Sequence, residues 1–228
     1  MTPIRFATIG LLLLAAACGR PAEPVKTPPP AAVAIAAPAG RYVIDPEHST
    51  LFFRIQHIGL GDYVARFKTI DSTVILDPAN PAASSVTATI DPTSLAADLR
   101  QPWKEASPGS PYPSWEAYLA QDPHFLNARV HKTISFRSTA IERTGPTTAR
   151  ITGDLTFLGQ TRPVTLDATL TGSTANYPMI GGGAIGVKAT GRFKRSDFGM
   201  TAFLTQPGLG DEISLEFNGE FKEAKPAA

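Results

Sequence analysis

Apolar and polar side chains alternate residue by residue through most of the chain beyond residue 50, and a period of two excludes an architecture built on helices. Leu51, Phe53, Ile55 and His57 share one face of the first such segment, with Arg54 and Gln56 opposite. Val86, Ala88 and Ile90 form another stripe, as do Ile134, Phe136 and Ser138, and then Ile151, Leu155 and Phe157. Segments 164–170, 185–193 and 213–221 repeat the pattern, and 63–70 and 72–77 bring the count to eight or nine strands. Turn residues separate them, among them Asp45-Pro46, Asp77-Pro78, Thr144-Gly145-Pro146 and Leu158-Gly159-Gln160. Connections this short join antiparallel neighbours. Only 94–127 breaks the rhythm. There 115–119 reads as a short helix, approached through a long irregular loop holding Pro102, Pro108, Pro111 and Pro113. Strands with one apolar face each fit an all-β sandwich or a closed barrel, and periodicity alone does not choose between them.

The first forty residues follow another logic. Residues 1–5 are short and basic, 6–17 are an apolar run, and 15–17 are three alanines before Cys18. These are the parts of a secretory signal peptide over 1–17, and the run is shorter than the roughly 20 residues that span a bilayer. Residues 20–40 hold six prolines and seven alanines and almost nothing able to build a core. They read as a semi-rigid tether without fixed structure, reaching up to about 65 Å at ~3.1 Å per residue. The expected organisation is a signal peptide over 1–17, a tether over 18–40 and one β domain over 41–224.

Charge and motif content exclude several functions. The 228-residue chain carries a net charge of +1. Arg5, Arg20, Lys26 and Glu23 precede the domain, which leaves it 18 Lys+Arg and 19 Asp+Glu, without the basic excess that nucleic-acid binding needs. One cysteine excludes a disulfide framework and cysteine-rich zinc sites. Gly181, Gly183 and Gly186 match G-x-G-x-x-G, but a strand pattern follows them where a dinucleotide site needs a helix. None of the four histidines stands at metal-ligand spacing from another, so no metal site is assigned. His48 and Ser49 lie beside Asp45, where turn hydrogen bonding is expected rather than a triad. His57 continues an apolar stripe, as a core histidine or as a polar anchor inside a cavity. Arg195 and Asp197 follow the strand that ends near Phe193, as a surface pair or as charges at a pocket mouth.

Two resemblances add to this reading. Cys18 directly after small residues resembles the lipobox of bacterial lipoproteins, with Ala15 where Leu is usual and Leu14 one place early. The resemblance implies acylation of Cys18, and Gly19 after it implies the outer membrane, while Ala15 and Ala17 also fit the A-x-A site of ordinary signal cleavage, which gives a soluble exported protein. The domain resembles the YceI-like family of bacterial secreted proteins. The resemblance is carried in order by residues 42–49, 53–59 (Phe-Arg-Ile-Gln-His-Ile-Gly), 90–95, 133–139, 153–159 with Pro163-Val164, and 195–200 (Arg-Ser-Asp-Phe-Gly-Met). It implies a lipocalin-like closed antiparallel barrel with a long apolar channel, and binding of a polyisoprenoid, prenyl quinone or similar lipid in the periplasm. It also implies possible homodimers and no catalytic mechanism. The chain departs from the family at 98–116, where a proline-rich stretch carries Trp103 and Trp115. Phe53, Ile55, His57, Phe67, Ile90, Phe136, Leu155, Phe157 and Phe193 are the expected lining, with Arg195 and Asp197 as polar contacts. No cofactor is expected beyond such a bound lipid. The alternatives are a β module with a filled core, or an enzyme using His57, Arg195 and Asp197 on an isoprenoid lipid.

Overall fold

The computed structural model describes residues 34–178, 181–205 and 208–224. The signal segment 1–17, Cys18 and the tether up to residue 33 lie outside them. Eleven strand segments form one sheet. They are β1 (Gly40–Ile44), β2 (Thr50–His57), β3 (Gly61–Phe67), β4 (Ile70–Leu76), β5 (Ser85–Ile90) and β6 (Leu95–Ala97), then β7 (Ile134–Arg143), β8 (Thr148–Phe157), β9 (Gln160–Thr174), β10 (Ala184–Lys194) and β11 (Leu209–Glu223). The first six are three long strands, each broken once. β1 and β2 both pair with β11, β4 and β3 pair with β1 and β2, and β5 and β6 pair with β4 and β3. From β5 the order runs through β7, β8, β9 and β10 to β11, and the β1–β11 ladder (Tyr42↔Glu223, Ile44↔Phe221) closes the ring. The product is an eight-stranded antiparallel β-barrel, the closed alternative of the two that the alternation allows. Among the described residues, closure leaves an unpaired edge only along β6, against which Leu119 of α2 packs.

Two of the three breaks have a local cause. Asp45-Pro46 and Asp91-Pro92 each start a 3-10 turn, Pro46–His48 and Pro92–Ser94. Proline gives the ladder no N–H, and the aspartate side chain accepts from the backbone N–H two residues on, Glu47 at 3.1 Å and Thr93 at 2.8 Å. The β8–β9 hairpin turns through Leu158 and Gly159, both at positive φ, as a two-residue turn that matches strand twist requires.

One end of the barrel is covered by the insertion between β6 and β7. It holds α1 (Trp103–Ala106) and α2 (Trp115–Gln121), so the helix expected at 115–119 exists and runs two residues further. The proline-rich stretch is ordered by its own aromatic core. Trp103 stacks on Tyr118 at 4.8 Å and meets Trp115 edge-on at 4.6 Å, and Tyr118 meets Phe125 at 5.2 Å. The indoles are satisfied, Trp103 Nε1 donating to Tyr112 O (2.7 Å) and Trp115 Nε1 to Gln101 O (3.0 Å). Ser114 caps α2 by accepting from the Ala117 N–H at 3.1 Å. Leu119 and Leu126 then pack against Ala65, Phe67, Ile90 and Leu95 of the barrel.

At the other end the chain enters through residues expected to be structureless. Ala37 is buried against Tyr42, Leu76, Ile185 and Phe221. The Ala36 N–H donates to Ser173 Oγ at 2.9 Å, and Tyr42 Oη donates to Pro38 O at 2.7 Å. The last residues of the tether are therefore part of the fold, because Ile35 and Ala37 supply apolar surface that the barrel end can cover.

The β1/β2 break is pinned from β11. Asp45 is buried, and its Oδ2 accepts from Lys222 Nζ and meets His48 Nδ1 at 2.7 Å. Burial alone would raise the Asp45 carboxyl, but hydrogen bonds from Lys222, His48 and the Glu47 N–H outweigh it and hold it at about 2, below its ordinary 3.8. Hydrogen bonding to Asp45 raises His48 in turn. A depressed carboxyl contributes stability above its unfolded value and loses it as pH falls through the folded one. A raised histidine contributes below its ordinary value and loses it as pH rises through the folded one. In urea titrations the wild type is expected to lose stability relative to Asp45→Asn as pH falls from about 4 toward 2, and Asp45→Asn is expected to be the less stable protein near pH 5. Equal pH profiles for the two would exclude this role for the cluster.

Candidate functional site

The inward faces of the long strands enclose one apolar cavity of about 460 Å³, within the roughly 300–1,000 Å³ of small-molecule sites. β9 contributes Val164, Leu166, Ala168 and Leu170, β10 Ile185, Val187, Ala189 and Phe193, and β11 Ile213, Leu215, Phe217 and Phe221. On β8 the lining runs from Ala149 to Phe157. Eight residue steps at ~3.3 Å, on strands tilted by ~40°, make the cavity about 20 Å deep. Gly153 lies inward within that run. A Cβ there would collide with the Phe136 ring, so the glycine is the space that Phe136 occupies. Leu166 occupies the corresponding space at Gly191.

The two ends of the cavity differ. Toward the insertion it is lined by Phe53, Phe67, Phe136, Phe157 and Phe193. Phe198 closes this floor from beneath, edge-on to Phe157 (5.6 Å) and Phe193 (5.3 Å), with Met200 buried beside it. At the opposite end the lining passes into the loops 77–84 and 144–147 and the incoming residues Ala34 and Ile35. Ala34, Ala79, Arg143 and Pro146 are lining residues that are also exposed, so the cavity reaches solvent here.

Seven of the residues expected to line the interior do so: Phe53, Phe67, Ile90, Phe136, Leu155, Phe157 and Phe193. Four do not. Ile55 is buried but lies beyond the floor, one pleat past Phe53. His57 is exposed, because β2 ends there and turns through Ile58 and Gly59 before the barrel can enclose it. Asp197 is exposed in the 3-10 turn Arg195–Phe198. Arg195 is wholly buried, but it faces backbone rather than the cavity. It donates to Gly210 O (2.8 Å), Leu209 O (3.0 Å), Ala202 O (2.7 Å) and Met200 O (3.2 Å). Its guanidinium is the bracket that folds the β10–β11 connection under the floor. His57, Arg195 and Asp197 do not converge on the cavity. Asp45, His48 and Glu220 do bring ligand-capable atoms within 4.8 Å of one another, but the ammonium of Lys222 already stands on Asp45.

The lining that the alternation misses is on β7. Its ladder with β8 shifts register between Ser138 and Ala140, so the inward residues are even-numbered through Phe136 and odd-numbered at Ile141 and Arg143. One extra residue in a strand exchanges its faces. Neither Thr139 nor its neighbours announce the bulge.

This is a closed antiparallel barrel built around an apolar cavity with an aromatic floor. Residues 42–221 match the family model of the YceI-like domain, and the chain belongs to that family. It is 35% identical over 185 residues to protein YceI of Escherichia coli O157:H7, covering 80% of this chain and 88% of that protein. It is 31% identical over 190 residues to a UPF0312 protein of Vibrio cholerae serotype O1, covering 82% and 90%. Among solved structures, BcnA of Burkholderia cenocepacia has the same fold, with a TM-score of 0.59 at 21% identity over 78% of this chain and 98% of that one. A polyisoprenoid binding domain from Saccharophagus degradans, implicated in plant cell wall breakdown, matches at a TM-score of 0.52 and 10% identity over 82% and 100%.

The bracket role of Arg195 has a measurable consequence. Arg195→Met leaves four carbonyls without their donor, at about 1–3 kcal/mol for an unsatisfied buried acceptor. It is expected to destabilise the protein by at least about 3 kcal/mol in chemical denaturation. A ligand contact would instead lower uptake and leave stability unchanged.

Proposed function

We propose that this protein binds and carries a lipid with a long apolar tail, of the polyisoprenoid kind, in the bacterial periplasm. One observation carries the reading: the barrel interior is a continuous, solvent-reaching apolar cavity rather than a filled core. Half-buried Val187, Leu215 and Phe217 owe their remaining exposure to that space. Burying a tail there contributes about 0.8 kcal/mol per methylene, so affinity needs few polar contacts and no catalytic group. The description of the Saccharophagus neighbour as polyisoprenoid binding supports an isoprenoid tail. The signal-like segment 1–17 and Cys18 support export and an outer-membrane anchor. With that anchor, the packed residues 34–39 bring the tether to the solvent-reaching end of the barrel, so the cavity opens on the side from which the chain is held.

Organic extraction of the purified protein followed by mass spectrometry is expected to recover such a lipid. In a homologous series of prenyl alcohols, affinity should rise about fourfold per buried methylene and level off once the tail exceeds the depth of the cavity. Val187→Trp, which fills the cavity from β10, should cut uptake at least tenfold while the protein still unfolds cooperatively. Recovery of no lipid, together with no uptake of any member of the series, overturns the proposal.

A further inference from the structure

We infer that residues 34–39 are a gate: a strap across the mouth of the cavity whose outer end, 34–36, lifts to admit a ligand and closes again behind it. The inference rests on the reading of the cavity as a ligand site and adds the route by which that site fills and empties.

The strap is not part of the barrel wall. The ladders of β1 begin at Gly40, and the match to the family model begins at residue 42. Yet the strap lies on the mouth, since Ala34 and Ile35 line the cavity where it reaches solvent. Its two ends are held unequally. At the inner end Ala37 is buried against Tyr42, Leu76, Ile185 and Phe221, and Pro38 O accepts from the wholly buried Tyr42 Oη at 2.7 Å. A Cβ on Gly183 would collide with both Tyr42 Oη and Pro38 Cδ, so this corner of the strap sits in the space that the glycine leaves. At the outer end the hold is light. The Ala36 N–H donates to Ser173 Oγ at 2.9 Å, an exposed bond for which water competes. Ile35 is half-buried, and Ala34 and Ala36 are exposed.

The hinge is therefore at Ala37-Pro38 and the latch at Ala36 and Ser173. Ile35 is the blade. It packs on the same apolar cluster, of which Leu76, Ile185 and Phe221 also line the cavity. Lifting 34–36 breaks no ladder bond and uncovers apolar wall at the mouth. A segment with few buried contacts and an exposed hydrogen bond opens at the low end of local unfolding free energies. A strap that closes over the empty and the loaded cavity alike sets the rates of uptake and release together and leaves the affinity nearly unchanged.

The test uses the full chain, delipidated, with Cys18→Ser to remove its one thiol. The readout is stopped-flow uptake and release of the neutral fluorophore N-phenyl-1-naphthylamine. In Ala36→Cys/Ser173→Cys a disulfide replaces the latch. Oxidised, this variant should take up and release the fluorophore at least about tenfold more slowly, and dithiothreitol should restore both rates. Ser173 is outside the cavity lining. Ser173→Ala should speed both rates by about two- to tenfold, the worth of one hydrogen bond, with affinity within about twofold of wild type. Thiol titration verifies the disulfide, and thermal unfolding verifies the fold of each variant. Where the disulfide does not form, the rates of Ser173→Ala decide. Wild-type rates in Ser173→Ala, or exchange that persists in the oxidised form, overturn the gate and leave the apolar site standing. Faster release with unchanged uptake makes the strap a wall of the site and likewise overturns the gate. Failure of the fluorophore to bind any form, reduced or oxidised, overturns site and gate together.

Discussion

Everything in this structure depends on the closure of one ladder, between the first strand and the last. β11 runs the full height of the barrel, and it must pair with β2 over one part and with β1 over the other. The partner strand is broken at Asp45-Pro46, at the level where β11 passes from one to the other. A break there would leave an edge where the barrel can least accept one. It is bridged instead: the Asp45 N–H donates to Glu220 O at 2.8 Å, and the Asp45 carboxylate is held by Lys222 of the same strand. Closure turns eight half-apolar strands into a container, since every inward face then meets other inward faces.

A closed ring of this size must be filled by side chains or left with space. Here both occur, at different heights. Near the insertion, phenylalanines from five strands narrow the lumen, and Phe198 and Met200 pack beneath Phe136, Phe157 and Phe193 to fill its end. Higher up, the inward residues are mostly Val, Ala, Leu and Ile, with Phe217 and Phe221 on β11, and they leave the cavity. The Arg195 bracket and the aromatic core of the insertion are outside this space, and both close its lower end.

Much of the fold is legible from the residues. Alternation in 51–57, 86–90, 151–157, 164–170, 185–193 and 213–221 identifies strands and inward faces, because one buried face imposes a period of two. Five of the seven lining residues follow from it. The errors have specific causes. His57 continues the stripe in sequence, but its strand ends at the hairpin before the barrel encloses it. Arg195 and Asp197 sit beside a cavity-lining strand, but the 3-10 turn at 195–198 carries one down to the backbone and the other out to solvent. The spacer reads as structureless by composition, yet Ile35 and Ala37 are apolar enough to pack once a barrel end is present.

The sequence by itself determined that this is an all-β chain with one apolar face per strand, because periodicity is a local property that each segment displays alone. Identification of the family rests likewise on ordered local segments. Tertiary structure decided that the sheet closes, that space remains inside, and that the charge at the cavity is Arg143 rather than His57 or Arg195. Closure depends on the pairing of β1 with β11, some 180 residues apart. The cavity depends on the summed volumes of residues from all the long strands. The position of Arg143 depends on a one-residue shift against β8 that no residue type signals. Each is a relation between distant segments, and a linear pattern holds no term for it.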